Sequence, residues 1–221
     1  MEKRLLTRDQ IAERIAQDLH EGDVVNLGIG IPVLVSNYVS NDSEIIYQSE
    51  QGVLGMGSIA PPGEEDPDLV NASKLPVTLV PGGSFSHHAD SFAMLRGKHI
   101  DVAVMGGMQV SEKGDLANWK VKGAQLGSIG GAMDIALGSK KLYIAMTHTS
   151  KNGEFKIVKE LDYPVTALRC VDRIYTDMSI IDVTAEGLVL QEIAPGYSIE
   201  EVQQVTEPRL IISKNLKEIT I

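Results

Sequence analysis

The chain has 221 residues, 43% of them hydrophobic and 23% charged, which suits one globular domain with a sizeable core rather than a disordered or fibrous chain. Its formal net charge of −10 argues against a nucleic-acid partner, which needs a basic face, but not against an anionic cofactor held by local donors. No apolar run approaches the length of a membrane span, residues 1–9 lack the apolar centre of a secretion signal, and the one cysteine, Cys170, excludes an internal disulfide and fits a reducing cytosol.

In chain order, residues 7–21 form the first predicted helix. Thr7 and Gln10 fit a capping box, Ile11, Ile15 and Leu19 recur every four residues along one apolar face, and Gly22 suits the C′ position. A strand over 24–27 runs into the glycine turn Gly28-Ile29-Gly30, and Pro32 opens a second helix to about Val39. A strand over 45–48 ends just before Glu50, and 61–68 (PPGEEDPD) is loop by composition. A strand over 77–80 stops at Pro81-Gly82-Gly83. Then come a helix over 89–95, a buried strand over 102–105, a short helix over 132–137 behind Gly130-Gly131, and a strand over 142–146.

Continuously apolar strands alternating with helices predict an α/β fold, an open and mostly parallel sheet covered by helices on both faces. The last third changes character. Asn152-Gly153 signals a tight hairpin turn, and strands over 180–183 and 188–190 flank a second turn at Ala185-Glu186-Gly187. Ser198 with Glu201 caps a last helix, and 209–212 closes as a strand. No repeat, linker or boundary divides residues 1–221, so a single domain is expected.

Several segments have the residue types of a site. The Gly28–Gly30 turn lets backbone approach a ligand, or serves only close packing; a dinucleotide fingerprint would need a third glycine where Val33 stands. Glu50 follows a buried strand and precedes Gln51-Gly52. Since ligands bind at the carboxyl ends of parallel strands, Glu50 is a candidate base, metal ligand or nucleophile, against the plainer reading of a surface carboxylate. Gly130 and Gly131 open a helix whose first N–H groups lack partners within it, suited to holding an oxyanion or to a close backbone crossing. His87-His88-Ala89-Asp90 has no second cluster at ligand spacing, so no metal is expected. The acidic loop 64–68 lacks the spacing of an EF-hand, and Cys170 lies in an apolar stretch as a packed thiol.

Taken together, NLGIGIPVLVSNYV (26–39), SEQGVLGMG (49–57), GEEDPDLVNA (63–72), SFAMLRGKHID (91–101), GDLANW (114–119), GGAMD (130–134) and TEPRLI (206–211) resemble the B-type subunits of the 3-oxoacid coenzyme A transferases, in order over almost the whole chain. HHADSFAMLRG (87–97) is most similar to the 3-oxoadipate branch, with acetoacetate-specific members close behind. The resemblance implies Glu50 as covalent nucleophile, Gly130 and Gly131 beside the oxyanion, coenzyme A as cosubstrate with no permanently bound cofactor, and a homologous A-type subunit as partner in an α₂β₂ assembly. It implies a swap of CoA between succinyl-CoA and a 3-oxo acid. One position departs: Gln51 stands where the family usually has Asn, so any positioning by that amide carries an extra methylene. His87, His88 and Arg96 are the candidate cations for the far carboxylate of a dicarboxylic substrate. The competing readings are a sugar-phosphate isomerase of related architecture, using a carboxylate as general base, and a non-catalytic scaffolding subunit.

Overall fold

The computed structural model describes residues 3–40 and 42–221; the first residues of the 1–9 segment, considered above for a secretion signal, and Asn41 lie outside the described residues. Helix α1 (Arg8–Ala16) starts on the expected capping box, with the Thr7 side chain accepting from the Gln10 amide and the Gln10 side chain accepting in return. It ends before the predicted boundary because the chain tightens into i→i+3 bonds, Asp18 to Ile15 and Leu19 to Ala16, and Gly22 serves a later turn. Strand β1 (Val24–Leu27) follows as expected, then a 3-10 helix (Pro32–Tyr38) rather than an α-helix. Its first residue, Pro32, follows an Ile31 that makes no side-chain cap, and the branched Val33 and Val35 favour neither long helix nor capping.

Strand β2 (Ile46–Ser49) is followed by β3 (Val53–Ile59), which the sequence hid because Gly55 and Gly57 interrupt its pattern. Strand β4 (Val77–Phe85) does not stop at Pro81. It lies at the sheet edge and pairs only with β3, so a proline without N–H removes no ladder bond there. A Cβ on Gly55 would sit 2.9 Å from the Gly83 Cα, so glycines let the two strands cross this closely. Helix α2 (His88–Arg96) leads to β5 (Ile100–Gly106), then to β6 (Gln109–Ser111) and β7 (Leu116–Ala117). Helix α3 (Ala132–Gly138) leads into β8 (Ser139–Ala145), followed by β9 (Ile157–Val158), β10 (Arg173–Tyr175), β11 (Ser179–Thr184), β12 (Gly187–Ile193), α4 (Ile199–Gln204) and β13 (Ile211–Glu218).

Ten strands form one sheet in the order β13-β12-β11-β10-β8-β5-β1-β2-β3-β4. The five central strands, β10 to β2, run parallel, and antiparallel pairs flank them on both sides. The β11–β12 hairpin closes around Ala185-Glu186, as expected. Asn152-Gly153 makes a turn, with the Ser150 amide donating to the Glu154 carbonyl, but only a single bridge, Thr149 to Phe155, flanks it. The last strand extends to Glu218, past its predicted end, because an edge strand exposed along most of its length carries no apolar run to read. A smaller sheet, β7-β6-β9, was also hidden in strands of two or three residues.

Alternate residues of the central strands bury on opposite faces. Val102, Val104, Tyr143 and Ala145 join Ile11 and Ile15 of α1 and Val35 of the 3-10 helix in one core. Ala103, Met105, Leu142 and Ile144 join Leu95 of α2, Ile135 of α3, Val202 of α4 and Val110 of the small sheet in the other.

One buried polar group couples this packing to pH. His148 is 2% exposed, between Thr206 Oγ1 (2.8 Å from Nε2) and Thr176 Oγ1 (2.9 Å from Nδ1). The Thr206 hydroxyl donates to the Val202 carbonyl and the Thr176 hydroxyl to the Ser179 carbonyl, so a neutral ring with its proton on Nε2 donates to Thr206 and accepts at Nδ1 from Ser179 Oγ, 3.2 Å away. Burial, helped by the Lys156 charge, lowers its pKa to about 4. The unfolded chain therefore binds a proton that the folded chain refuses between pH 6.5 and 4. Stability is full above that window and falls by about 3 kcal/mol through it. Urea titrations should show His148→Asn, whatever its own cost at neutral pH, losing that much less stability than wild type across the same range.

Candidate active site

The carboxyl ends of β2, β1, β5 and β8, four neighbouring parallel strands, open on one cavity of about 700 Å³. Glu50 after β2, Gly28 after β1, Met105 and Gly106 at the end of β5, and Ala145 and Met146 at the end of β8 all line it. This is where an open parallel sheet offers a crevice. Gly130 and Gly131, ahead of α3, form another wall, so the sequence-predicted carboxylate and glycine pair share one space.

A buried polar chain fixes the strand end beneath Glu50. Asn26 Nδ2 donates to Gln48 Oε1 at 2.7 Å, Gln48 Nε2 to Ser91 Oγ at 2.6 Å, and Ser91 Oγ to the Ser49 carbonyl at 3.1 Å. All four residues are at most 1% exposed. These bonds hold the backbone at Ser49 to α2, while Asn26 Oδ1 and Ser49 Oγ stay buried without a partner among the described residues. The sequence offers a signal for two of these residues, Asn26 inside the otherwise apolar β1 and Gln48 inside the buried β2; Ser91, on α2, carries none.

Glu50 is half-buried, and its Oε2 is shielded from solvent with no hydrogen-bond partner among the described residues. Leaving a buried carboxylate oxygen unpaired costs stability, a cost that a ligand donating to it would relieve. The amides of Gly130 and Gly131 donate to no carbonyl among the described residues, so both remain available at the helix start. Gly130 has φ +49, and a Cβ on Gly131 would lie 2.7 Å from the Phe92 ring. The pair is therefore required by backbone conformation and packing as well as by any ligand.

The other predicted positions fall out differently. Gly28 lines the cavity, but its amide donates to the Val104 carbonyl at 2.9 Å and is not free for a ligand. Gly30 lies outside the lining, its amide 3.4 Å from Ser73 Oγ. Gln51 is exposed and its side-chain amide donates to the Val70 carbonyl, tying the strand end to the following loop. His87 caps α2, the His88 ring packs at a tilt of 52° against Phe92, and Arg96 pairs with Asp134 at 2.7 Å. None of these three lines the cavity, so they do not supply its cation; the basic residues that do are Arg8 and Lys156, neither of which the sequence singled out. Cys170 lies elsewhere, its thiol pushed up to about 12 by burial, which leaves it protonated and unreactive at neutral pH. Among the described residues, no cluster of three His, Cys, Asp or Glu side chains could hold a metal.

Gly52 sets the loop that carries Glu50. It has φ +117, and a Cβ there would meet the Ser86 carbonyl oxygen at 2.2 Å. Both a forbidden dihedral and a backbone clash would follow from a methyl group. Gly52→Ala is expected to cost about 2 kcal/mol or more by denaturant unfolding, and to lower the rate of any reaction at Glu50 more than it weakens ligand binding.

No helix among the described residues is long and apolar enough to cross a membrane. The solved structure of the acyl-CoA transferase YdiF from Escherichia coli O157:H7 superposes with a TM-score of 0.79 at 23% identity, covering all of this chain and 44% of that one; it establishes likeness of fold. Sequence likeness is closer. The B subunit of 3-oxoadipate CoA-transferase from Acinetobacter baylyi is 52% identical over 207 residues, 93% of this chain and 95% of its own length. The B subunit of succinyl-CoA:3-ketoacid coenzyme A transferase from Helicobacter pylori is 46% identical over 200 residues, 90% of this chain and 96% of its own. Residues 8–204 match the family described as Coenzyme A transferase, and with a carboxylate and a glycine pair lining one cavity at the mouth of a parallel sheet, the chain belongs to the coenzyme A transferases.

Proposed function

We propose that this chain is the glutamate-bearing subunit of an enzyme that moves CoA between a short acyl-CoA, succinyl-CoA, and a 3-oxo acid, 3-oxoadipate or acetoacetate, through a thioester on Glu50. The observation that carries the reading is the buried, unpartnered Oε2 of Glu50 in the cavity that Gly130 and Gly131 also line. Relatives named for 3-oxoadipate and for succinyl-CoA with a 3-ketoacid support the substrate class, 3-oxo acids, of which acetoacetate is the simplest. Their designation as B subunits supports a second, homologous A-type subunit, which we propose completes the cleft in an α₂β₂ enzyme; coenzyme A enters as cosubstrate.

The Glu50 carboxylate attacks the acyl-CoA carbonyl carbon. The C–S bond breaks, CoA leaves as thiolate, and an acyl-glutamyl anhydride remains. The thiolate then attacks the glutamyl carbonyl of the anhydride, releasing the first acid as its carboxylate and leaving glutamyl-CoA. The second acid reverses both steps. Each addition puts negative charge on a carbonyl oxygen, and the amides of Gly130 and Gly131 are the donors on hand for it. A carboxylate is a weak nucleophile while water solvates it. The burial of Oε2 without a partner leaves that oxygen unsolvated before substrate arrives.

The test is chemical trapping. The chain co-purified with its partner subunit is treated with succinyl-CoA, reduced with borohydride, and digested for mass spectrometry. Reduction of residue 50 to the alcohol, only after acyl-CoA treatment, is the expected result. No CoA-dependent change at that residue would remove the covalent mechanism and return the isomerase and scaffold readings.

A further inference from the structure

We infer that Lys156 is the anchor for the remote carboxylate of a dicarboxylic acid substrate, and so a specificity-determining residue of the Glu50 cavity; the inference rests on the transferase reading of that cavity. Lys156 follows the turn at Asn152-Gly153 and directly precedes β9. It lines the Glu50 cavity, and it also lines a second hollow of about 820 Å³ that shares Gly107, Met108 and Thr147 with the first. Its side chain is therefore part of the partition between the two.

The ammonium group has no carboxylate partner within ion-pair distance among the described residues. Its nearest hydrogen-bond contact is the neutral Thr147 hydroxyl at 3.4 Å. This is not for want of carboxylates nearby, because the second hollow is lined by three. Each of those is otherwise engaged: Glu154 accepts from Ser150 Oγ at 3.0 Å, Glu207 from the Lys159 amide at 2.9 Å, and Asp162 sits 3.5 Å from Lys122. Burial lowers the Lys156 pKa to about 8, against the opposing pull of Asp177. A partly desolvated, unpaired cation is costly and gains most from an anion that arrives with the ligand.

The charge pattern of the cavity points to the same ligand. A dicarboxylic acid must bring one carboxylate to Glu50 and the glycine amides. Its second carboxylate then needs a cation in the same cavity. Arg8 lines the cavity as well but is exposed, where water screens its charge. Lys156 is the half-buried one, and an ammonium-to-carboxylate bond in such surroundings is the stronger. A monocarboxylic acid makes no use of it. The lysine would therefore distinguish the two acid classes by binding, with little effect on the chemical step.

The experiment uses the two-subunit enzyme. Wild type, Lys156→Met, Lys156→Gln and Lys156→Arg are loaded to the glutamyl-CoA thioester with excess succinyl-CoA and freed of succinate by gel filtration. Discharge by 3-oxoadipate and by acetoacetate is then followed against acid concentration. Removing the charge is expected to raise the half-saturating 3-oxoadipate concentration roughly ten- to hundredfold, the worth of one charged hydrogen bond. The maximal rate and the acetoacetate curve should stay within about threefold, and Lys156→Arg should recover most of the loss. Equal effects on both acids, no effect on either, or a wild type that acetoacetate discharges and 3-oxoadipate does not would each overturn the assignment. If wild type forms no thioester at all, the transferase reading itself fails and takes the assignment with it. The glutamine variant, closer in length and polarity, gives the same comparison should the methionine variant not fold.

Discussion

Glu50→Gln in the two-subunit enzyme is expected to lower turnover by roughly 10⁴-fold or more, the scale on which enzymes lose rate when a covalent nucleophile is removed. A neutral amide retains the shape of the side chain and its place in the cavity. It lacks the negative oxygen that attacks the thioester. Folding should survive, because the wild-type carboxylate stabilises nothing that the amide abandons: its buried Oε2 has no hydrogen-bond partner among the described residues. Glu50→Ala, which removes that orphaned oxygen altogether, is expected to melt no lower than wild type, a form of the trade between activity and stability seen where a site holds unpaired polar atoms. The check is steady-state transfer from succinyl-CoA, alongside calorimetric melting and intact-mass measurement to exclude deamidation back to glutamate. Turnover within tenfold of wild type in a mass-verified Glu50→Gln protein would remove Glu50 from the mechanism and leave it as a cavity-wall carboxylate.

The place of Glu50 at a strand end could be read from sequence, its role as nucleophile came only from the family resemblance, and Lys156 could be read from neither, because each depends on different information. Glu50 sits at the end of a short, largely buried strand with Gly52 behind it, and a parallel sheet turns that local pattern into a position at a cleft. Gly130 and Gly131 were legible in the same way, as a glycine pair before a helix. Lys156 comes from another kind of information. It reaches the cavity because a small sheet, β7-β6-β9, packs against the main one, and its strands of two or three residues leave no periodicity to read. Strand β3 was hidden by the glycines that let it bulge against β4, and β4 ran past a proline because it lies at an edge. The polar chain from Asn26 through Gln48 to Ser91 joins residues 22 and 43 apart in sequence, contacts that only the assembled sheet and α2 create. Local rules thus found the strand ends and helix starts, and missed what depends on which elements meet.

Breaking the buried ion pair between α1 and β12 is expected to have the largest effect on stability. Arg14 is 6% exposed and meets Glu192, itself 4% exposed, through Nη2 to Oε1 at 2.6 Å and Nε to Oε2 at 3.0 Å. Arg14 Nη1 also donates to Asp18 at 2.9 Å. Arg14→Met should cost about 3–5 kcal/mol, because it strands the Glu192 carboxylate in the interior with, among the described residues, only Lys217 at 3.4 Å to answer it. Asp18 suffers less: burial tends to raise its pKa, but hydrogen bonds from Tyr175 and Arg14, with the charges of Arg14 and Arg173, outweigh that and hold it below the usual carboxylate value. After the substitution Tyr175 at 2.6 Å and Arg173 at 2.7 Å remain. The double change Arg14→Met/Glu192→Leu should recover most of the loss, since the pair's worth lies mainly in each partner's need for the other. Denaturant unfolding of the four proteins in the cycle gives the coupling directly. The damage would also reach the active site, because α1 begins at Arg8, which lines the Glu50 cavity six residues before Arg14. A loosened helix would therefore weaken substrate binding before the sheet unfolds, and a single change costing less than about 1 kcal/mol, with the double mutant no better, would show that water already reaches this pair and that apolar packing of Ile11 and Ile15 alone holds α1 in place.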